Sequence, residues 1–290
     1  VKEMKSIGLA LGGGGLKGMA HIGVLQVLHE NGLRPQYITG TSAGSIIASL
    51  YASGISPYQL EAIALHLKPS DYLDYNLLGI FRYLLSLICP FCKSPPLEGI
   101  IQGDKLENMI NELTQGKQLC QIQMPLSLIA CDINSGRKIV FTNQAMEIEK
   151  SDVQMVQDAR VSEAVRSSSS IPVTFVPKNY CGLKMVDGGV KEIVPASVAK
   201  IMGAEYVVSI NLGQEMYDTQ VKGIPEIISR TLGILVFETS EMEEEIYSDL
   251  TIFPGIKPIP LNDTDAIARI IRAGRRAMQE NIEEIKRQLR

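Results

Sequence analysis

Tryptophan is absent from this 290-residue chain, aromatic residues make up 6%, and histidine occurs three times. A base-stacking surface for nucleic acid is therefore poorly supplied. Lys+Arg 28 against Asp+Glu 32 leaves a net charge of -4, and no basic run is longer than Arg275-Arg276. Wholesale neutralisation of phosphates is excluded on that balance, and no nucleic-acid partner is expected. Five cysteines are too few and too scattered for a disulfide scaffold. Their odd number points to reduced thiols and a cytoplasmic setting. No charged segment followed by an apolar one precedes the first structured stretch, so no secretory signal is visible. The chain opens with Val1, which leaves a removed leader open. The longest greasy stretch, residues 77–92, is interrupted by Arg82 and Pro90. It falls short of the roughly 20 apolar residues of a spanning helix. What the chain does have is core material: 45% of it is apolar, which excludes a disordered protein.

Residues 6–11 form a short apolar run with the pattern of a buried strand. A glycine loop follows over 12–18, then helical spacing over 19–29, a second short strand at 37–39, and Gly40-Thr41-Ser42-Ala43-Gly44 before a small apolar helix over 45–53. Two strands joined by such a helix make a parallel β-α-β unit. Further on, helices are predicted over 103–113, 159–166 and 195–202, and a hairpin over 125–142 turns at Asn134-Ser135-Gly136. Strands are predicted at 183–186 and 206–212, and two last helices over 225–250 and 263–289. No repeat or linker divides the chain. The expected architecture is α/β: a three-layer sandwich with a mainly parallel central sheet, residues 5–213 carrying the chemistry and 214–290 forming a helical C-terminal extension packed on the same domain.

Gly13-Gly14-Gly15-Leu16-Lys17-Gly18 satisfies G-x-G-x-x-G between a strand and a helix. Glycines there let backbone N–H groups face an anion at a positive helix end. A nicotinamide enzyme needs an acid roughly 20 residues on, at the end of the second strand; that strand ends in Thr39-Gly40-Thr41-Ser42. A P-loop is excluded because no Gly-Lys-Ser/Thr occurs. The more telling element is G-x-S-x-G, in which Gly40 and Gly44 flank Ser42 at a strand-to-helix junction, the setting of a nucleophile elbow. A serine nucleophile needs a base, usually histidine. The three histidines, His21, His29 and His66, all precede Asp187, so the order Ser, Asp, His of the α/β-hydrolases is impossible. The base is then Asp187, at a strand end before Gly188 and Gly189, or an upstream histidine that folds back. His21 reads as structural, bonding backbone across the sheet.

Glycine loop, G-x-S-x-G and D-G-G, in that order, resemble the patatin-like phospholipases, above all the bacterial members related to neuropathy target esterase. Supporting phrases are Gly18-Met19-Ala20-His21-Ile22-Gly23 after the loop, Ala164-Val165-Arg166-Ser167-Ser168 through Ile171-Pro172, and Ile271-Arg272-Ala273-Gly274-Arg275-Arg276-Ala277. The resemblance covers residues 5–213 and the last helix. It implies a Ser42-Asp187 dyad without histidine, an acyl-enzyme on Ser42, and an oxyanion hole of backbone N–H groups within Gly13, Gly14 and Gly15. Lys17 occupies the family's Arg/Lys position, and no cofactor or metal is implied. The implied substrate is a lipid acyl ester. A transacylase would use the same residues, and a non-catalytic lipid-binding protein would keep the fold alone. Head group, acyl length, positional preference and oligomeric state are left open.

One departure is Glu192-Ile193 after D-G-G, where the family often has Asn-Pro. A second acid so near Asp187 is expected to raise its pKa by like-charge repulsion. Cys89-Pro90-Phe91-Cys92 has redox spacing but no strand before it and no second C-x-x-C for zinc. It reads as a hydrophobic loop with free thiols. The stretch 72–92 is expected either to cap the Ser42 pocket, to dip into a lipid interface as a peripheral contact, or to be a helix buried in the core or in a dimer contact.

Overall fold

A computed structural model of the chain describes residues 4–88, 96–146, 148, 151–213 and 220–290. Its organising strand is β1 (Ile7–Leu11), buried along its whole length. Leu9 and Leu11 join the larger core on one side of the sheet, and Ala10 joins a smaller core on the other. A strand covered on both faces is what a central place in a layered α/β fold requires.

After β1 the glycine loop tightens into a 3₁₀ turn over Gly15–Met19, and α1 (Ala20–Glu30) follows. β2 (Tyr37–Thr41) returns parallel to β1, with Ile38 opposite Leu9, and α2 (Ala43–Ala52) leaves from its end. α3 (Pro57–Leu65) begins with a capping box between Ser56 and Gln59. α4 (Pro69–Tyr72), α5 (Leu77–Ile88) and α6 (Asp104–Leu113) bridge to the second half. There β3 (Leu126–Asp132), β4 (Lys138–Thr142) and β5 (Val153–Val156) precede α7 (Val161–Ser168). β6 (Lys178–Tyr180), β7 (Leu183–Asp187) and α8 (Ala196–Ile201) lead to β8 (Tyr206–Ile210). α9 (Gly223–Tyr247), β9 (Leu250–Ile252) and α10 (Ile267–Leu289) complete the chain.

The sheet runs β5-β4-β3-β2-β1-β8-β9, with β7 pairing β3 and β6. Its centre, β3-β2-β1-β8-β9, is parallel throughout. Antiparallel pairs are confined to β3 with β4, β3 with β7, and β6 with β7. α1 and α10 cover the face of Leu9 and Leu11; α8 and α9 cover that of Ala10. The C-terminal part is not purely helical as predicted. α9 stops at Tyr247 and β9 extends the sheet beside β8. Three residues give no periodicity to read, so only the neighbouring strand identifies β9. The Cys89 to Cys92 pair lies outside the described residues.

Candidate active site

Ser42 is the last residue before α2 and takes φ 53 and ψ -123, a backbone region that costs a side-chain-bearing residue of order 1–3 kcal/mol. The flanking glycines permit it. A Cβ on Gly40 would stand 2.5 Å from the Gly44 carbonyl oxygen, and one on Gly44 would stand 2.0 Å from that of Leu11. The turn is also held from outside: Ser42 N–H donates to Ser168 Oγ at 2.9 Å, and Ser45 Oγ–H donates to the Ser42 carbonyl at 2.6 Å. The side chain thus emerges at the positive end of α2 with little freedom.

Asp187 reaches it from β7. That strand lies antiparallel to β3, with Asp187 opposite Ala130, and β3 is the neighbour of β2. Gly188 allows the close approach, since a Cβ there would sit 2.1 Å from the Ile129 carbonyl oxygen. The Asp187 carboxylate accepts from Ser42 and, at 2.8 Å, from Gly189 N–H. Burial pushes its pKa up to about 6, against the pull of these two hydrogen bonds. Glu192 does not contribute to that shift. Its carboxylate is held by Lys138 Nζ at 2.7 Å and by Ser197 N–H at 3.0 Å. The expected repulsion is therefore replaced by desolvation as the cause.

The glycine loop corrects the expected donor count. Gly13 N–H already donates to the Ile193 carbonyl at 3.0 Å, so Gly13 contributes its bare Cα, which packs between Ile193 and Ser42. Gly14 and Gly15 N–H donate to no protein acceptor among the described residues, and both glycines line the cleft at Ser42. Lys17 Nζ donates to the Leu212 carbonyl at 2.6 Å, tying the loop to the end of β8. Gly18 lets the 3₁₀ turn touch α2, where a Cβ would meet that of Ala43 at 2.4 Å. Gly189 lies against Ile193 in the same way.

None of the histidines lines the cavities at Ser42. His21 is fully buried with Nε2 at 2.8 Å from the Gly12 carbonyl oxygen. Burial lowers its pKa to about 4, so it is neutral and donates, bracing the loop. His66 Nδ1 bonds the Ala62 carbonyl, and His29 stacks edge-on against Tyr58.

Sequence reading assigned no role to the serine run that ends α7. Ser168 holds Ser42 N–H, Ser169 Oγ–H reaches the Ser42 carbonyl at 3.4 Å, and the Ser170 carbonyl accepts Asp187 N–H at 2.8 Å. Buried Arg166 donates to Ser170 Oγ at 2.5 Å and to the Val176 carbonyl at 2.6 Å, and its guanidinium lies 5.5 Å from the Phe175 ring centre. One short segment therefore fixes both members of the pair. Four consecutive serines after a basic residue were the visible signal.

Ser42 lines two cavities. One is walled almost wholly by apolar groups such as Ile46, Ile47, Leu106, Met109, Phe175 and Leu261. The other, a more open cleft, holds Asp187 and the glycine loop beneath α9. α5 lines neither, and most of its large apolar side chains are exposed, so it is not a helix buried in the core; of the 72–92 stretch, Tyr72 lines the apolar cavity. Among the described residues no helix is long and apolar enough to cross a membrane.

Comparison with known proteins places the chain among relatives of similar sequence and fold. The patatin-like phospholipase family model matches residues 9–200. An uncharacterised NTE family protein of Mycobacterium tuberculosis is 25% identical over 236 residues, 81% of this chain and 57% of that one. Human patatin-like phospholipase domain-containing protein 6 is 30% identical over 210 residues, 72% of this chain and 14% of that protein. The chain thus spans only part of the length of either relative. In fold it is similar to VipD from Legionella pneumophila, at TM-score 0.54 and 15% identity, covering 98% of this chain and 67% of that one. It is also similar to human GIVD cytosolic phospholipase A2 in complex with methyl gamma-linolenyl fluorophosphonate inhibitor and terbium chloride, at TM-score 0.51 and 12% identity, covering 99% of this chain and 59% of that one. A match that begins in β1 and runs through the glycine loop, the Ser42 turn and Asp187 into α8 leaves one assignment: this chain belongs to the patatin-like phospholipase family.

Proposed function

We propose that the chain hydrolyses lipid acyl esters through an acyl-Ser42 intermediate, with Asp187 as the base. The observation that carries this reading is the position of Ser42, which is hydrogen-bonded to a buried carboxylate and stands where an apolar cavity meets an open cleft. An acyl chain fills the first and the alcohol portion leaves through the second. Ser42 Oγ attacks the ester carbonyl and gives its proton to Asp187. The oxyanion is met by Gly14 and Gly15 N–H, donors of a kind each worth about 3–4 kcal/mol in the transition state. The C–O bond breaks, and the departing alkoxide takes the proton from Asp187. Water then attacks the acyl-enzyme, Asp187 accepts its proton, and the fatty acid leaves as Ser42 Oγ recovers that proton. The exposed apolar side chains of α5, among them Leu77, Leu78, Phe81 and Ile88, give the chain a surface for peripheral contact with a lipid interface.

The test is hydrolysis of p-nitrophenyl esters from butyrate to palmitate by wild type, Ser42→Ala and Asp187→Asn. Both variants are expected to fold and to lose roughly 10³-fold or more in rate. Full activity in Ser42→Ala would remove the reading. Met109→Trp, which fills the apolar cavity, is expected to shift the preference toward shorter acyl chains while sparing butyrate.

A further inference from the structure

A third concavity lies apart from the Ser42 cavities between α10 and the 253–260 strap that follows β9. The strap reads Phe253-Pro254-Gly255-Ile256-Lys257-Pro258-Ile259-Pro260. Ile256 and Ile259 pack against the core, and Lys257 between them is exposed on the groove. The N–H groups of Gly255, Ile256, Lys257 and Ile259 donate to no protein acceptor among the described residues. On the opposite wall α10 presents Arg269 and Arg276, both exposed, about 10 Å apart along the helix. Their neighbour Arg275 is engaged by Glu30 at 2.9 Å. Lys257, Arg269 and Arg276 have no ion pair or side-chain hydrogen bond among the described residues. Glu280 is the one carboxylate on the lining.

Three cations converging on one groove repel one another unless an anion enters. The surroundings say which kind. Phe253, 41% exposed, puts an apolar edge beside the cations. Just beyond the strap, Leu261 lines the acyl cavity, and its carbonyl accepts the Tyr72 hydroxyl. Tyr72 ends α4, five residues before apolar α5. The segment after the strap is therefore tied to the acyl cavity through the Leu261–Tyr72 contact. Cations beside an apolar edge suit the phosphate of an anionic lipid at a bilayer surface.

We propose that the groove between the 253–260 strap and α10 binds the phosphate of an anionic phospholipid in a bilayer, at a site separate from Ser42. The proposal rests on the reading that the chain works at a lipid interface. Binding is therefore measured on Ser42→Ala protein, where turnover plays no part, and hydrolysis of p-nitrophenyl butyrate is measured separately on protein with Ser42 intact. Co-sedimentation is compared for vesicles of phosphatidylcholine alone and with phosphatidylglycerol added. Tighter binding to the anionic vesicles is expected. Near an anionic surface each basic residue contributes roughly fivefold, so Lys257→Gln with Arg269→Gln and Arg276→Gln is expected to lose on the order of a hundredfold. Binding to neutral vesicles and butyrate hydrolysis are expected to be unchanged, and the latter shows that the triple variant folds. Equal binding of both vesicle types, or a triple variant that binds anionic vesicles like its parent, would overturn the proposal. So would release from anionic vesicles by glycerol phosphate when chloride of matched ionic strength does not release it, which would give the groove to a soluble phosphate.

Discussion

A carboxylate with an ordinary pKa is a poor acceptor for a serine proton, and the environment of Asp187 narrows that gap by burying the group until its pKa reaches about 6. Rate against a soluble ester is expected to rise with pH through a midpoint near 6, because protonated Asp187 cannot accept. A kcat/KM profile flat from about pH 5 to 8 would contradict it. Stability should move the other way. The folded-state pKa of this acid is raised, so folding favours its protonated form. The penalty is absent below the ordinary aspartate value of 3.8, grows as pH rises, and is complete above about 6. A shift of that size corresponds to on the order of 2–3 kcal/mol. Asp187→Asn keeps the size of the side chain and removes the buried charge. It is expected to be inactive yet to unfold at higher denaturant than wild type at about pH 8, with the difference vanishing near pH 4. His21 obeys the opposite sign: its lowered pKa means stability is intact above 6.5 and declines as pH falls toward about 4.

At the scale of elements, the glycine loop is supported from behind by the crossing of α1 and α10. A Cβ on Gly23 would stand 2.1 Å from the Ile271 carbonyl oxygen, and one on Gly274 would stand 1.9 Å from that of Ala20. Gly274→Ala must push the helices apart at the point where α1 leaves the loop. A cost of about 1–3 kcal/mol is expected from the urea midpoint. This contact places the Gly274 segment of the last helix directly against the start of the helix that follows the glycine loop. Much of the arrangement was legible in advance for a local reason. A strained serine turn demands glycine on both sides, and a buried parallel strand demands an unbroken apolar run, so Ser42, β1 and β2 announce themselves within a few residues. Features decided by distant partners stayed hidden. Gly13 looked like a third oxyanion donor because nothing near it in the chain reveals the Ile193 carbonyl. Glu192 looked like a repulsive neighbour of Asp187 because Lys138, its true partner, lies on β4. β9 and β6, three residues each, are strands only by virtue of β8 and β7.

Over the whole molecule, apolar surface is distributed unevenly. Leu77 is 72% exposed and Ile88 82%, and Leu78, Phe81, Leu84 and Leu85 between them are exposed too. In water such a helix is unfavourable, and an occupant that removes its side chains from solvent returns roughly 1.5–3 kcal/mol for each one fully buried. Since α5 lines neither cavity at Ser42, changing its outer face should leave the chemistry alone and alter only delivery of the enzyme to lipid. Leu78→Ser with Phe81→Ser and Leu85→Ser is therefore expected to hydrolyse p-nitrophenyl butyrate at the wild-type rate. On vesicle-borne substrate below saturation it should lose on the order of 10² in rate, since even partial burial of three such side chains is worth about 3 kcal/mol. At saturating lipid the difference should shrink, because maximal turnover is set at Ser42 and not by partitioning. Equal loss on butyrate and on vesicles would place α5 in the folding of the site. No loss on vesicles would remove its contact with the interface and leave the cations flanking α10 as the remaining candidate for that contact.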